Sequence, residues 1–173
     1  MTLGVKHIIR FILLLAFQAL FLNRIPPLHQ FIVPYIYFVF IIWLPFRISR
    51  APILLISFAT GMLADFFFIT PGLHAASCVL IGFLRPFLIN LLLPKEQTEW
   101  GAEEPDRKTM GLFTYGIYLF IMTFVHHFYL ILLEWMQFGD FIYFIGKLSA
   151  TSVVSIFLII IIDLFIKRNS RNR

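Results

Sequence analysis

The chain has 173 residues, 60% of them hydrophobic and 13% charged, against about 45–50% and about 25% in soluble domains. No water-soluble fold of this size can hide so much apolar surface, so lipid is the solvent, and at about 20 residues per helical span the length allows about six crossings without a separate catalytic domain. The net charge of +5 fits the Lys and Arg excess of cytoplasmic loops and gives no reason to expect nucleic acid as a partner.

The first apolar run covers Leu3 to Leu22. Lys6, His7 and Arg10 occupy its opening turns and can snorkel to headgroups. No small-residue cleavage site precedes "NRIPP", so the run reads as a retained helix. The second is expected from Leu28 to Leu44, kinked by Pro34, with Tyr35, Tyr37 and Trp43 as interface anchors. The third runs from Ala51 to Ile69 and the fourth from Gly72 to Leu93, and the short "TPG" between them makes a tight hairpin. Residues 94–110 form the one long polar loop, solvated around Glu103 and Asp106 or available to a cytosolic partner. The fifth helix is expected from Gly111 to about Leu133 and the sixth from about Phe141 to Ile166.

Basic residues sort with this alternation. Lys6, Arg10, Arg47, Arg50, Lys95, Arg107, Lys108, Lys167, Arg168, Arg171 and Arg173 fall on one side, and only Arg24 and Lys147 on the other. The positive-inside rule then predicts an even number of crossings with both termini cytoplasmic. The expected fold is a single all-α integral membrane domain, residues 1–173, of six transmembrane helices.

Polar residues within the spans ask for an explanation, because each is costly in lipid. Asp65 lies about one turn from the outer end of the third helix, and His74 begins the fourth. His126 and His127 occupy the outer third of the fifth, so titratable groups from three helices share one depth. Arg85, past the midpoint of the fourth helix, reads as a snorkelling anchor, and Asp163 stands one turn from Lys167. Ser57, Gly61 and Asp65 share a face of the third helix. His74, Cys78 and Gly82 share one on the fourth, flanked by Ser77 and Arg85, and small residues at this spacing let helices approach closely. The resulting candidate cluster is Ser57, Gly61, Asp65, His74, Ser77, Arg85 and His126, as a partner-binding or a structural set. For Asp65 the structural alternative is a carboxylate bonded to His74 or to backbone groups at the hairpin.

Motifs for chemistry are missing. The sequence has no glycine-rich phosphate loop, no HExxH and no GxSxG. It has a single cysteine, Cys78, and no Cys–His cluster. Adjacent histidines at 126 and 127 point about 100° apart on a helix, which does not suit a shared metal. No catalytic, cofactor or metal site is expected, so an interaction role gains by default.

The stretch "GMLADFFFITPGLHAASCVLIGFLRP", residues 61–86, resembles the MreD family of bacterial rod shape-determining membrane proteins. Gly61 and Asp65 late in the third helix, Gly72 after a short turn, and a small-residue fourth helix ending in Arg85–Pro86 carry the likeness. The preceding "PYIYFVFIIWLPFRISRAPILLISFATG" is also similar, and the likeness covers roughly residues 26 to 90. It implies a fold like the six-helix substrate-binding subunits of energy-coupling-factor transporters. It also implies a non-enzymatic component of the cell-elongation machinery in the bacterial inner membrane. Such a protein would bind MreC by docking its transmembrane helix and connect indirectly to MreB and to RodA with its transpeptidase. Asp65 matches the family's recurring aspartate, and no catalytic residue or cofactor is carried over.

Two functions are then expected to compete. In the first, an outward-facing groove or a lateral face of the bundle receives a partner helix, with small residues of the third and fourth helices as the close-contact surface. In the second, the chain is a small-solute-binding transporter subunit with Asp65, His74, His126 and Arg85 lining a polar site between helices. A membrane enzyme acting on lipid-linked precursors lacks a catalytic constellation.

Overall fold

Long Leu-, Ile- and Phe-rich runs can satisfy their backbone in lipid only by closing helical hydrogen bonds within themselves. A computed structural model describes residues 3–24, 32–94, 104–138 and 141–168. In it these runs form α1 (Leu3–Leu20, extended by a 3-10 turn at Leu22–Arg24), α2 (Val39–Ile42), α3 (Arg50–Phe68), α4 (Leu73–Leu92), α5 (Leu112–Phe138) and α6 (Phe141–Arg168). Among the described residues there is no strand, and four helices, α3 to α6, are long and apolar enough to cross a membrane.

Packing follows the sequence order. The α3–α4 hairpin is the tightest pair, α4 packs on α5, and α5 on α6. α1 packs mainly on α2 and α3. Its basic first turns face a partner where free snorkelling is expected: Glu104 lies 3.3 Å from Lys6 and also pairs with Arg10. Burial raises the Glu104 carboxyl, but Arg10, Lys6 and His7 outweigh it and hold its pKa below the ordinary glutamate value. The end of the polar loop is thereby tied to α1. The rest of that loop, residues 95–103, and the expected start of the second span at Leu28 lie outside the described residues.

The second span differs from the expectation. Only Val39–Ile42 is helical, residues 32–36 have no regular secondary structure, and a turn joins the two. Pro34 supplies no N–H and disfavours helix at Val33, while β-branched and aromatic neighbours favour extended backbone. The decisive fact is location. Ile36, Tyr37, Phe38, Ile41, Ile42, Trp43 and Leu44 are all at most 2% exposed. This segment is the centre of the molecule, and the helices wrap it.

An irregular segment buried among apolar helices leaves N–H and C=O groups that water cannot reach, each costing several kcal/mol if unpaired. Side chains from the surrounding helices take them. Gln18 of α1 accepts from the Ile36 N–H at 2.7 Å and donates to the Pro34 carbonyl at 3.0 Å. From α6, Ser155 accepts from the Tyr35 N–H at 3.0 Å and Thr151 from the Val33 N–H at 3.4 Å. Tyr118 of α5 donates to the Ile42 carbonyl at 3.1 Å. Gln18→Leu strips both bonds from residues 34–36 and should destabilise the fold by about 2–4 kcal/mol. Ile12→Ala, on the exposed side of the same helix, should leave the melting temperature in detergent almost unchanged. Equal melting temperatures for Gln18→Leu and the parent would show that the amide does not hold the segment.

Candidate functional site

Asp65 sits near the C-terminal end of α3, 5% exposed. Its carboxylate accepts from the backbone N–H of Gly72 at 3.1 Å, His74 at 2.9 Å and Ala75 at 3.0 Å, and from the Thr70 hydroxyl at 3.2 Å. Those are the orphan donors at the start of α4, so the aspartate caps the next helix from across the turn. The grip also holds a strained turn. Ile69 has φ 58° and Gly72 φ 85°, and a β-branched residue in the left-handed region persists only when its surroundings over-determine it. Asp65 bonds the His74 backbone, while the imidazole turns elsewhere.

That imidazole meets the central segment. The Tyr37 hydroxyl lies 2.6 Å from His74 Nδ1 and 3.0 Å from His126 Nε2. A phenol has one proton, so it donates to one ring and accepts from the other. Phe38 stacks on His126 at 4.0 Å between centroids and Phe68 on His74 at 4.6 Å. His127 points to the other side, as the 100° offset requires. Its Nδ1 donates to the Thr123 carbonyl at 2.7 Å, leaving Nε2 to accept from Ser155 at 3.1 Å. Ser155 in turn receives the Tyr35 N–H, so the chain of bonds runs without a gap from α5 through α6 to the central segment.

At the far end of the segment Arg85 departs from its expected role. It is 1% exposed and does not snorkel. Its guanidinium donates to the Leu44 carbonyl and, at 3.4 Å, to that of Pro45. These carbonyls follow the end of the short helix α2 and offer negative partial charge inside the protein. Asp163 likewise does more than stand near Lys167. It is buried, 3.1 Å from Arg107, and accepts from the Tyr115 hydroxyl at 2.9 Å, which accepts from the Trp43 indole at 2.9 Å.

The small-residue faces meet each other. A methyl group on Gly61 would lie 2.6 Å from the His74 carbonyl oxygen and 2.7 Å from the Ala75 nitrogen, and one on Gly82 would lie 2.9 Å from Ser57 Cβ. Ser57 and Ser77 are fully buried, and Ser77 donates to the Leu73 carbonyl. Ser57, Gly61 and Ser77 are therefore closed to a partner helix while the hairpin is packed, which corrects the expectation that they form a docking face. The structure unites Asp65, His74, His126, Gly61, Ser57 and Ser77 around the hairpin and the Tyr37 end of the segment. Arg85 belongs to the other end.

Sequence reasoning missed Gln18, Tyr118 and Ser155. Gln18 had a visible signal, being the lone amide in "ILLLAFQALFL", and Thr151 and Ser155 stand four apart on α6. Among the described residues no group of three His, Cys, Asp or Glu side chains has metal-binding geometry.

Comparisons with protein-family models, curated proteins and solved structures return no match. The site thus has to be read from its own geometry. Cavities lie between α1 and α6, between α5 and α6, and over the α3–α4 face, and none of these is lined by Asp65, His74, His126 or Arg85. Those polar groups hold up the protein's own interior.

Proposed function

We propose that the chain is a non-enzymatic membrane scaffold of the MreD type, acting in bacterial cell elongation by docking the transmembrane helix of an MreC-like single-span partner. The observation that carries this reading is the groove between α1 and α6. It has a volume of about 590 Å³ and is walled by Leu13, Phe17 and Leu20 on one side and Ile162 and Ile166 on the other, with Ile36 of the central segment at its floor. Apolar groups of this kind bind a helix by shape, and no bond is made or broken.

The topology proposed with it keeps six crossings. α1 and α3 to α6 supply five, and residues 32–44 supply the sixth as a partly helical segment. Five residues at up to about 3.3 Å and eight at about 1.5 Å give about 28 Å, close to the thickness of the hydrocarbon core. The even count returns both termini to the cytoplasm, in keeping with the basic residues.

Photo-crosslinking residues at Phe17 and, as a control, at Phe66 on exposed α3 test the site in native inner membranes. The expected adduct forms from Phe17 with a single-span membrane protein identified by mass spectrometry. Adducts from Phe66 alone would move the interface to the hairpin. Binding of a small solute by the purified chain, lost in a His126→Ala variant that still folds, would replace the scaffold with the transporter-subunit reading.

A further inference from the structure

A second cavity lies between α5 and α6, with a volume of about 160 Å³. Its walls are Leu112, Leu119, Ile156, Ile159 and Ile160, and its entrance holds Arg107 and Asp163. The opening exists because α5 carries glycine at position 116, where an added methyl would meet nothing within 4 Å. Glycine inside a helix costs about 1 kcal/mol relative to alanine. At Gly116 neither a positive φ nor a close backbone approach among the described residues calls for it.

We infer that this cleft is a phospholipid site, taking one acyl chain between α5 and α6 with the lipid phosphate on Arg107. The volume fits: an apolar cavity of about 150 Å³ accommodates benzene, so this one encloses the first six or so chain carbons. The charge arrangement fits as well. Asp163 holds the guanidinium at its Nε, 3.1 Å away, and Asp163's other oxygen is occupied by Tyr115. Among the described residues Arg107 has no other partner, and its side chain is one-third exposed. The terminal nitrogens are left as a planar fork of the kind that binds phosphate. Thr123, whose hydroxyl has no partner among the described residues, closes the far end and can bond the carbonyl one turn back by rotating about χ1. This inference is independent of the scaffold reading, because it concerns a different face.

Trp43 reports on the site, since its indole donates to Tyr115, a lining residue, and is otherwise buried. The full chain, with Trp100 and Trp135 replaced by phenylalanine, is reconstituted into phosphatidylcholine vesicles. Phosphatidylglycerol with brominated chains is then titrated in. Trp43 fluorescence should be quenched at low brominated fractions. Gly116→Leu should fill the cleft and cut that quenching at least twofold at a melting temperature no lower than the parent's. Arg107→Gln should raise the brominated fraction needed for half-quenching several-fold. Equal quenching in the parent and Gly116→Leu would overturn the acyl-chain site, and an unchanged titration in Arg107→Gln would overturn the headgroup assignment.

Discussion

Asp65→Ala is expected to remove most of the folded protein from the membrane. The substitution leaves the N–H groups of Gly72, His74 and Ala75 without their acceptor, and those of His74 and Ala75 lie in buried residues packed against Gly61. Hydrogen bonds to a charged acceptor contribute about 1.5–3 kcal/mol each, and losses in one network do not add fully, so the cost should be on the order of 4–6 kcal/mol. That rivals the stability of a typical domain. Asp65→Asn keeps one acceptor oxygen but turns an NH2 toward backbone donors, so it should fall between parent and alanine. Fluorescence-detected size exclusion and melting in detergent give the ranking parent, Asn, Ala. A normal yield and melting temperature for Asp65→Ala, with only partner co-purification lost, would make the residue a recognition element instead of a cap.

The sequence made the helices legible because hydrophobic runs of this length have one outcome in lipid. α3, α4 and α6 begin within a residue of where the apolar patterns place them, and α5 runs to Phe138 where Leu133 was expected. The hairpin was legible too, since small residues four apart on two neighbouring helices imply close approach, and Gly61 and Gly82 make that approach. Segment 32–44 was not legible. Its composition is as apolar as a helix, and Pro34 alone reads equally well as a kink. What takes its backbone groups in place of a continuous helix is a set of partners at positions 18, 118, 151 and 155, distant in sequence and interpretable only once the fold gathers them. The same gap explains Arg85. Depth along a helix predicts snorkelling, and only tertiary structure reveals carbonyls at Leu44 and Pro45 within closer reach. Polar residues in this chain were visible as costly, but their beneficiary, a buried non-helical segment, was hidden.

Gly61→Ala should destabilise the protein by about 2–3 kcal/mol, the range for overpacking a closed interface, even though alanine is the better helix former. The added Cβ meets the backbone of His74 and Ala75, which cannot rotate away, so α3 and α4 must separate and loosen Asp65's hold on the start of α4. Gly116→Ala makes the opposite case. Its Cβ meets open space, and removing a helical glycine should stabilise by up to about 1 kcal/mol. Melting temperatures in detergent should therefore move in opposite directions for the same chemical change, and a shift of the same sign in both would mean that backbone propensity, not helix contact, sets the response. Gly82 separates the two kinds of obstacle. Its added methyl meets the Ser57 side chain, so Ser57→Gly should rescue Gly82→Ala. The same second change should do nothing for Gly61→Ala, because there the helices touch backbone to backbone and no side chain remains to be trimmed.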